Sequence, residues 1–184
     1  MAYATRQLLA DSLKKLLQKK PLEKITIKEL VEDCGVNRQT FYYNFQDIYD
    51  LLAWIFKEDH QKLLEPILAS DDVLNSLPLI LNYLKENKRM ILNIYHSLAH
   101  PVLEQYLKSE FILFISAVVD SYIENTTISS EDRAFVIKVY TLAAVGIVRE
   151  WLDNDMDEAY ELDFEKLIPL VRHSLQSNME RLSG

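Results

Sequence analysis

Residues 26–45 read Thr26-Ile27-Lys28-Glu29-Leu30-Val31-Glu32-Asp33-Cys34-Gly35-Val36-Asn37-Arg38-Gln39-Thr40-Phe41-Tyr42-Tyr43-Asn44-Phe45, and this stretch decides the fold. Thr26 and Glu29 have the spacing of a capping box, in which the threonine caps a helix and the glutamate reaches back. Ile27, Leu30 and Val31 supply that short helix with an apolar face. Cys34-Gly35 ends it, because glycine takes the positive φ of a tight corner without a Cβ penalty. Asn37 is a good cap for another short helix, Arg38 to about Asn44. Two short helices joined by Gly35-Val36-Asn37 follow the helix-turn-helix plan. Val36 is expected to wedge into the angle between them, with Phe41 and Phe45 facing one core.

Upstream, Leu8, Leu9, Leu13, Leu16 and Leu17 form the stripe of an amphipathic helix. Lys14, Lys15, Lys19 and Lys20 follow on its other faces and near its C-terminus, where they suit the helix dipole, and Pro21 stops it. Downstream, Asp47 caps a long helix that should end at about Leu64 or Glu65, before Pro66. Helices are predicted over 73–86, 88–98, 102–124, 131–153 and 164–182, with breaks at 70–72, near Asn87, at His100-Pro101, at 125–130 and at 154–163. Pro78 and Pro169 each sit in a first turn or bend a helix. No strand pattern, repeat or linker interrupts them. The expectation is an all-α chain of about nine helices, with a helix-turn-helix domain over 1–46 and a second helical domain over 47–184.

Composition agrees. Only three glycines and five prolines occur in 184 residues, which suits helices and argues against an all-β fold. A hydrophobic fraction of 49% is enough for a real core. The single cysteine, Cys34, excludes an internal disulfide framework and fits a reducing cytoplasm. Residues 1–10 lack the plan of a signal peptide, and the longest apolar stretch, 111–119, falls far short of the roughly 20 residues of a membrane span. A soluble, cytoplasmic protein with no membrane partner is expected. The net charge of −8 is unevenly divided: residues 1–46 hold eight basic and five acidic side chains, and the remainder twelve and twenty-three. A head at +3 on a body at −11 is the asymmetry of a DNA-binding segment on an acidic body, though +3 is a small footprint.

The run from Thr26 to Phe45, with its aromatic ending Phe41-Tyr42-Tyr43-Asn44-Phe45, resembles the N-terminal domain of the TetR family of bacterial transcriptional regulators. The segment Ala143-Ala144-Val145-Gly146-Ile147-Val148-Arg149-Glu150-Trp151-Leu152 also looks like that family's eighth helix, which ends on a tryptophan before an acidic loop. The resemblance implies a DNA-binding domain over 1–46 and an effector-binding and dimerisation domain over 47–184. Two departures stand out: Asn44 occupies a position that is often histidine, and Gln46-Asp47-Ile48 replaces an often-present lysine after the recognition helix. Within the family, Arg38-Gln39-Thr40-Phe41-Tyr42 with Leu51-Leu52-Ala53-Trp54-Ile55-Phe56 resembles regulators of dihydroxyacetone kinase operons. That subgroup implies transcriptional activation with a protein co-activator in place of a directly bound effector.

In a helix-turn-helix the N-terminal half of the second helix reads bases and its surroundings hold phosphates. Arg38 suits guanine O6 and N7, Gln39 suits adenine N6 and N7, and Thr40 suits a base edge or a thymine methyl. Tyr42, Tyr43 and Asn44, with Asn37 and with Thr26 and Lys28 at the start of the preceding helix, complete the DNA-binding set. For a homodimer, Val139, Ala143, Gly146, Ile147 and Trp151, together with Val136 and Tyr140, form one helix face, and Leu167, Val171 and Leu175, with Phe164, Ile168 and Met179, form another. A palindromic operator requires two heads about 34–36 Å apart. The family implies an effector pocket, for which Trp54, Tyr83, Tyr95, His96, Tyr122 and Tyr140 are candidates beside His60, His100 and Arg149. Each of these taken alone fits core or surface better than ligand contact.

Other chemistry finds little support. His96, His100 and Glu104 have ligand spacing, but Pro101 breaks the helix there. Asp153-Asn154-Asp155-Met156-Asp157 opens like a calcium loop yet has Glu158 where glycine is needed. No nucleophile elbow or phosphate-binding glycine loop occurs, so neither an enzyme nor a cofactor or metal is expected. The reading is a dimeric regulator of a double-stranded DNA operator, controlled by a small-molecule inducer or a protein co-activator. The alternatives are a helical protein-interaction module, or a co-activator-dependent regulator with weak intrinsic DNA binding.

Overall fold

The computed structural model describes residues 2–70, 72–123, 128–161 and 163–182, with the side chains of Ala2 and Phe164 outside the description. The place of Phe164 on a dimer face therefore lies outside the described residues, as does the first half of the break at 125–130. The fold is all-α, without a strand among the described residues. Its helices are α1 (Ala2–Leu17), α2 (Ile27–Asp33), α3 (Arg38–Asn44), α4 (Ile48–Asp59), α5 (Glu65–Leu68), α6 (Leu77–Glu86), α7 (Lys88–Tyr95), α8 (His100–Ile123), α9 (Ser130–Asp153) and α10 (Phe164–Leu182). Counting α4 and α5 as one interrupted helix gives the expected nine.

The chain packs as two compact units, Met1–Gln61 with Asn87–Tyr106 and Lys62–Glu86 with Leu107–Gly184. These do not coincide with 1–46 and 47–184, because α4 and α7 both bury apolar faces against the head. In the first unit α1 packs on α2, α3, α4 and α7, and Leu9, Leu13, Leu17, Leu30, Phe41, Leu51, Leu52, Ile55 and Ile94 are almost wholly buried. Leu8 does not join them and is 51% exposed, since at 3.6 residues per turn it lies off the Leu9–Leu13–Leu16 line. Asn93 on α7 donates its side-chain amide to Leu17 O at 2.8 Å, satisfying one of the orphan carbonyls at the end of α1.

The second unit closes around Phe114, Ile115, Val118 and Val119 of α8, Val136 and Ile137 of α9, and Leu175 and Met179 of α10. Proline placement explains the shifts from the expected boundaries. Pro66 does not end a helix: a π-helical turn, His60–Leu64, precedes it, and it stands in the first turn of α5, where a missing amide costs nothing. Pro78 and Pro101 likewise fall in the first turns of α6 and α8. Pro169 lies inside α10. α7 stops at Tyr95, short of Leu98, because Ser97 Oγ donates to Ile94 O at 2.7 Å and accepts from Ala99 N at 3.0 Å, a local turn that competes with the helix.

Candidate nucleic-acid interface and apolar cavity

The helix-turn-helix is built from short-range chemistry. Thr26 caps α2, its Oγ1 accepting from Glu29 N at 3.2 Å. The reciprocal half of the capping box gives way to an ion pair, since Glu29 Oε2 takes Lys20 Nζ at 2.6 Å. Gly35 turns the corner with φ of 68°, and Val36 N donates back to Val31 O at 2.9 Å. Asn37 caps α3, its Oδ1 accepting from Thr40 N at 2.8 Å and from the Thr40 hydroxyl at 3.0 Å. The 3.6-residue period then sorts the aromatics. Phe41 and Phe45 are buried, while Tyr42 is 59% and Tyr43 85% exposed.

Of the expected DNA contacts, Thr26, Lys28, Asn37, Arg38, Gln39, Tyr42 and Tyr43 are exposed, and Thr40 and Asn44 are half-buried. Thr40 spends its hydroxyl proton on Asn37, and Asn44 Nδ2 donates to Thr40 O at 2.8 Å. Arg38, Gln39, Tyr42 and Tyr43 thus present the open polar surface of α3. Sequence reasoning missed Arg6, whose guanidinium stands 5.4 Å from the centre of the Phe45 ring, with Nη2 3.5 Å from Asn44 O. A cation there complements the negative end of α3 and rests on an aromatic face. Nothing in the local pattern of α1 distinguishes Arg6 from a solvated base.

The small basic footprint has a structural cause. Lys14 pairs with Asp59 at 2.6 Å, Lys15 with Asp33 at 2.5 Å, Lys20 with Glu29 and the exposed Lys28 with Glu32 at 3.8 Å. Among the described residues Lys19, Lys24 and Arg38 make no ion pair. Hydrogen bonds from Lys15 and then Ser12 hold the Asp33 carboxyl below the usual carboxylate range. Burial pushes the Cys34 thiol up, and Cys34 donates to Leu30 O at 3.1 Å, as a small core residue does.

The second unit carries a partly open cavity of about 210 Å³. Of the expected pocket residues, Tyr140 lines it. Trp54 instead stacks edgewise on Tyr3 and Phe45 in the first unit. Tyr95 is buried there beside His96 and, at 4.2 Å, His100. Tyr83 is half-buried on α6, and the Tyr122 hydroxyl accepts from Arg172 Nη1 at 3.3 Å. The cavity wall comes instead from residues expected at a dimer face, Ala143, Ile147, Trp151, Leu167 and Val171, and from apolar positions of α6 and α8 such as Ile80, Leu84 and Phe111. An apolar residue lining a void has the same sequence pattern as one filling a core, so the pattern offered no signal.

His100 uses both ring nitrogens, Nδ1 2.8 Å from Tyr95 O and Nε2 3.1 Å from Glu104 Oε1. The acidic loop after α9 folds on itself. Met156 N donates to Trp151 O at 2.8 Å, the Trp151 indole donates to Asp157 O at 3.2 Å, and Asp157 Oδ1 accepts from Ala159 N.

Two family profiles match this chain. One, described as "Bacterial regulatory proteins, tetR family", matches residues 9–55, and the other, "Transcriptional regulator C-terminal region", matches residues 71–172. The chain belongs to the TetR family. As a TetR-family protein it is a DNA-binding transcriptional regulator and not an enzyme. It is similar to the HTH-type dhaKLM operon transcriptional activator DhaS of Lactococcus lactis subsp. lactis (strain IL1403), at 25% identity over 176 residues covering 91% of each chain. A solved structure titled dihydroxyacetone kinase operon activator DhaS shares the fold, with a TM-score of 0.73, 23% identity and 98% coverage of both chains.

TetR-type regulators bind DNA and form dimers, and α9 of this member leaves an apolar strip open. Phe135 is 65%, Leu142 56% and Val139 46% exposed, with Ala143 and Gly146 exposed beside them. A Cβ added at Gly146 meets nothing within 4 Å. Trp151 and Leu175 are buried within their own unit, so they do not present a free face. No described helix is long and apolar enough to cross a membrane.

Proposed function

We propose that this regulator binds a palindromic operator as a homodimer through residues of its first 46 positions, and that an effector acting on its C-terminal region sets its affinity. The observation that carries the reading is the sorting of α3. Phe41 is fully buried, while Arg38, Gln39, Tyr42 and Tyr43 stand exposed. Arg38 and Gln39, at the start of the helix, read bases. Tyr42 and Tyr43 meet phosphates, with Thr26 and Lys28 doing so from the head of α2. The exposed strip of α9 with Ala143 and Gly146 supports the dimer contact, joined by Leu170 of α10, which is 66% exposed. Likeness to DhaS supports a transcriptional activator of a dihydroxyacetone kinase operon, acting in the cytoplasm with a small molecule or a protein co-activator as its control.

A specific observation favours a second reading. Four of the head's lysines are already paired with carboxylates, which suits a regulator whose intrinsic affinity is low until a co-activator joins it. Fluorescence anisotropy with the chain's own upstream DNA, titrated across salt and against random duplex, separates the two. Tight, sequence-selective binding that weakens steeply with salt establishes the autonomous regulator. Weak binding, equal on both duplexes, removes it and leaves the co-activator-dependent form, which a pull-down then tests.

A further inference from the structure

We infer that the cavity of the second unit takes an uncharged, predominantly hydrocarbon ligand, and excludes both carboxylates and small polyols. The inference rests on the reading of the C-terminal region as effector-binding and names the chemical class of that effector. The void of about 210 Å³ is walled chiefly by aliphatic and aromatic side chains. An apolar void of about 150 Å³ stays dry and accepts benzene, so this one has room for a longer hydrocarbon body.

Among the described residues three of the four polar side chains of the wall are committed elsewhere, the exception being Tyr160, which is 47% exposed. The Tyr140 hydroxyl lies 2.7 Å from Ser174 Oγ, the Trp151 indole donates to Asp157 O, and the Glu161 carboxylate is held by Lys85 Nζ at 2.5 Å. Among the described residues of the wall there is no cation to meet a ligand carboxylate, and an unpaired buried charge is strongly disfavoured. A triose such as dihydroxyacetone must surrender several hydrogen bonds to water and finds at most the Tyr160 hydroxyl in return. A ligand with an alkyl or aryl body and at most one hydroxyl gives up little and gains apolar burial.

Isothermal titration calorimetry of the full chain with 1-octanol, octanoate and dihydroxyacetone tests this, alongside the emission of Trp151 in Trp54→Phe, where it is the remaining tryptophan. The expected result is saturable binding of one 1-octanol per chain with a shift in Trp151 emission. Octanoate should bind at least tenfold more weakly, and dihydroxyacetone should give no heat. Ala144→Phe and Val148→Phe, which fill the void from the α9 wall, should each fold and lose 1-octanol binding. Octanoate or dihydroxyacetone binding as tightly as 1-octanol overturns the inference, as does absence of saturable 1-octanol binding or its survival in both filled variants. Operator anisotropy in the same mixtures isolates the underlying reading. If 1-octanol binds and operator affinity does not change, the ligand class stands and the effector role falls.

Discussion

Lys14 Nζ donates to Asp59 Oδ1 at 2.6 Å, and this pair clamps the last turn of α1 to the end of α4. The Asp59 side chain is only 9% exposed, so its charge depends on protein partners more than on water. Removing one member leaves the other poorly solvated. Lys14→Met should lower the stability of the first unit by about 1–3 kcal/mol, read as a fall in the urea midpoint at constant slope. Lys14→Met with Asp59→Leu should recover part of the loss. A double variant as unstable as the sum of the singles would show that the two side chains do not act together.

Arg38 and Tyr43 should fail differently. Arg38→Ala removes a base-reading group from the exposed start of α3 and should abolish discrimination between operator and random duplex, a loss of about 1–3 kcal/mol per bidentate pair. Tyr43→Phe removes one hydroxyl from an 85% exposed ring and should weaken all duplexes alike. Circular dichroism should be unchanged in both. Unchanged operator selectivity in Arg38→Ala would remove its assigned role.

Asp33 gives the head a pH signature. Its carboxyl is held below the usual range by Lys15 and Ser12, so the folded state binds the proton less readily than the unfolded chain. Its contribution is complete above the ordinary aspartate value of about 3.9 and is lost as pH falls through the lower folded value. Asp33→Asn should therefore flatten the acid limb of the stability curve below about pH 4. Urea midpoints measured from pH 6 to 2 give the comparison, and parallel curves for the two proteins would count against the pair.

Leu142 tests the dimer. It is 56% exposed on the strip that includes Val139 and Gly146, so Leu142→Glu should leave the monomer folded and shift sedimentation at micromolar concentration from dimer to monomer. Gly146→Leu should do the same, since a side chain there has open space in its own chain. Dimers that persist in both variants place the interface elsewhere.

The head was legible because its signals are local. Thr26, Gly35, Asn37 and Asp47 each act on an amide or a φ angle within a few residues, and each does so in the structure. Glu29 shows the limit, since its partner is Lys20, brought near by the turn at Pro21. The cavity was not legible. Ile147 and Trp151 were read as interface because helical period gives a face and not the neighbour that face meets. Tyr95 and Trp54, picked as polar aromatics, pack in the first unit with rings from other elements. Pro66 does not end the helix for a related reason, because a proline removes one backbone hydrogen-bond donor and the pattern shifts there through a π-helical turn.

Trp151 joins two roles in one side chain: its ring walls the cavity, and its indole N–H holds the Asp157 carbonyl. The loop so held carries Asp155 and Met156 in succession at φ of 54° and 52°, a left-handed pair that costs on the order of 1–3 kcal/mol per residue and persists only while its anchors do. If the cavity takes a guest as inferred, one that displaced the ring would loosen this clasp, and its arrival and departure would be coupled to the opening and reclosing of a strained turn.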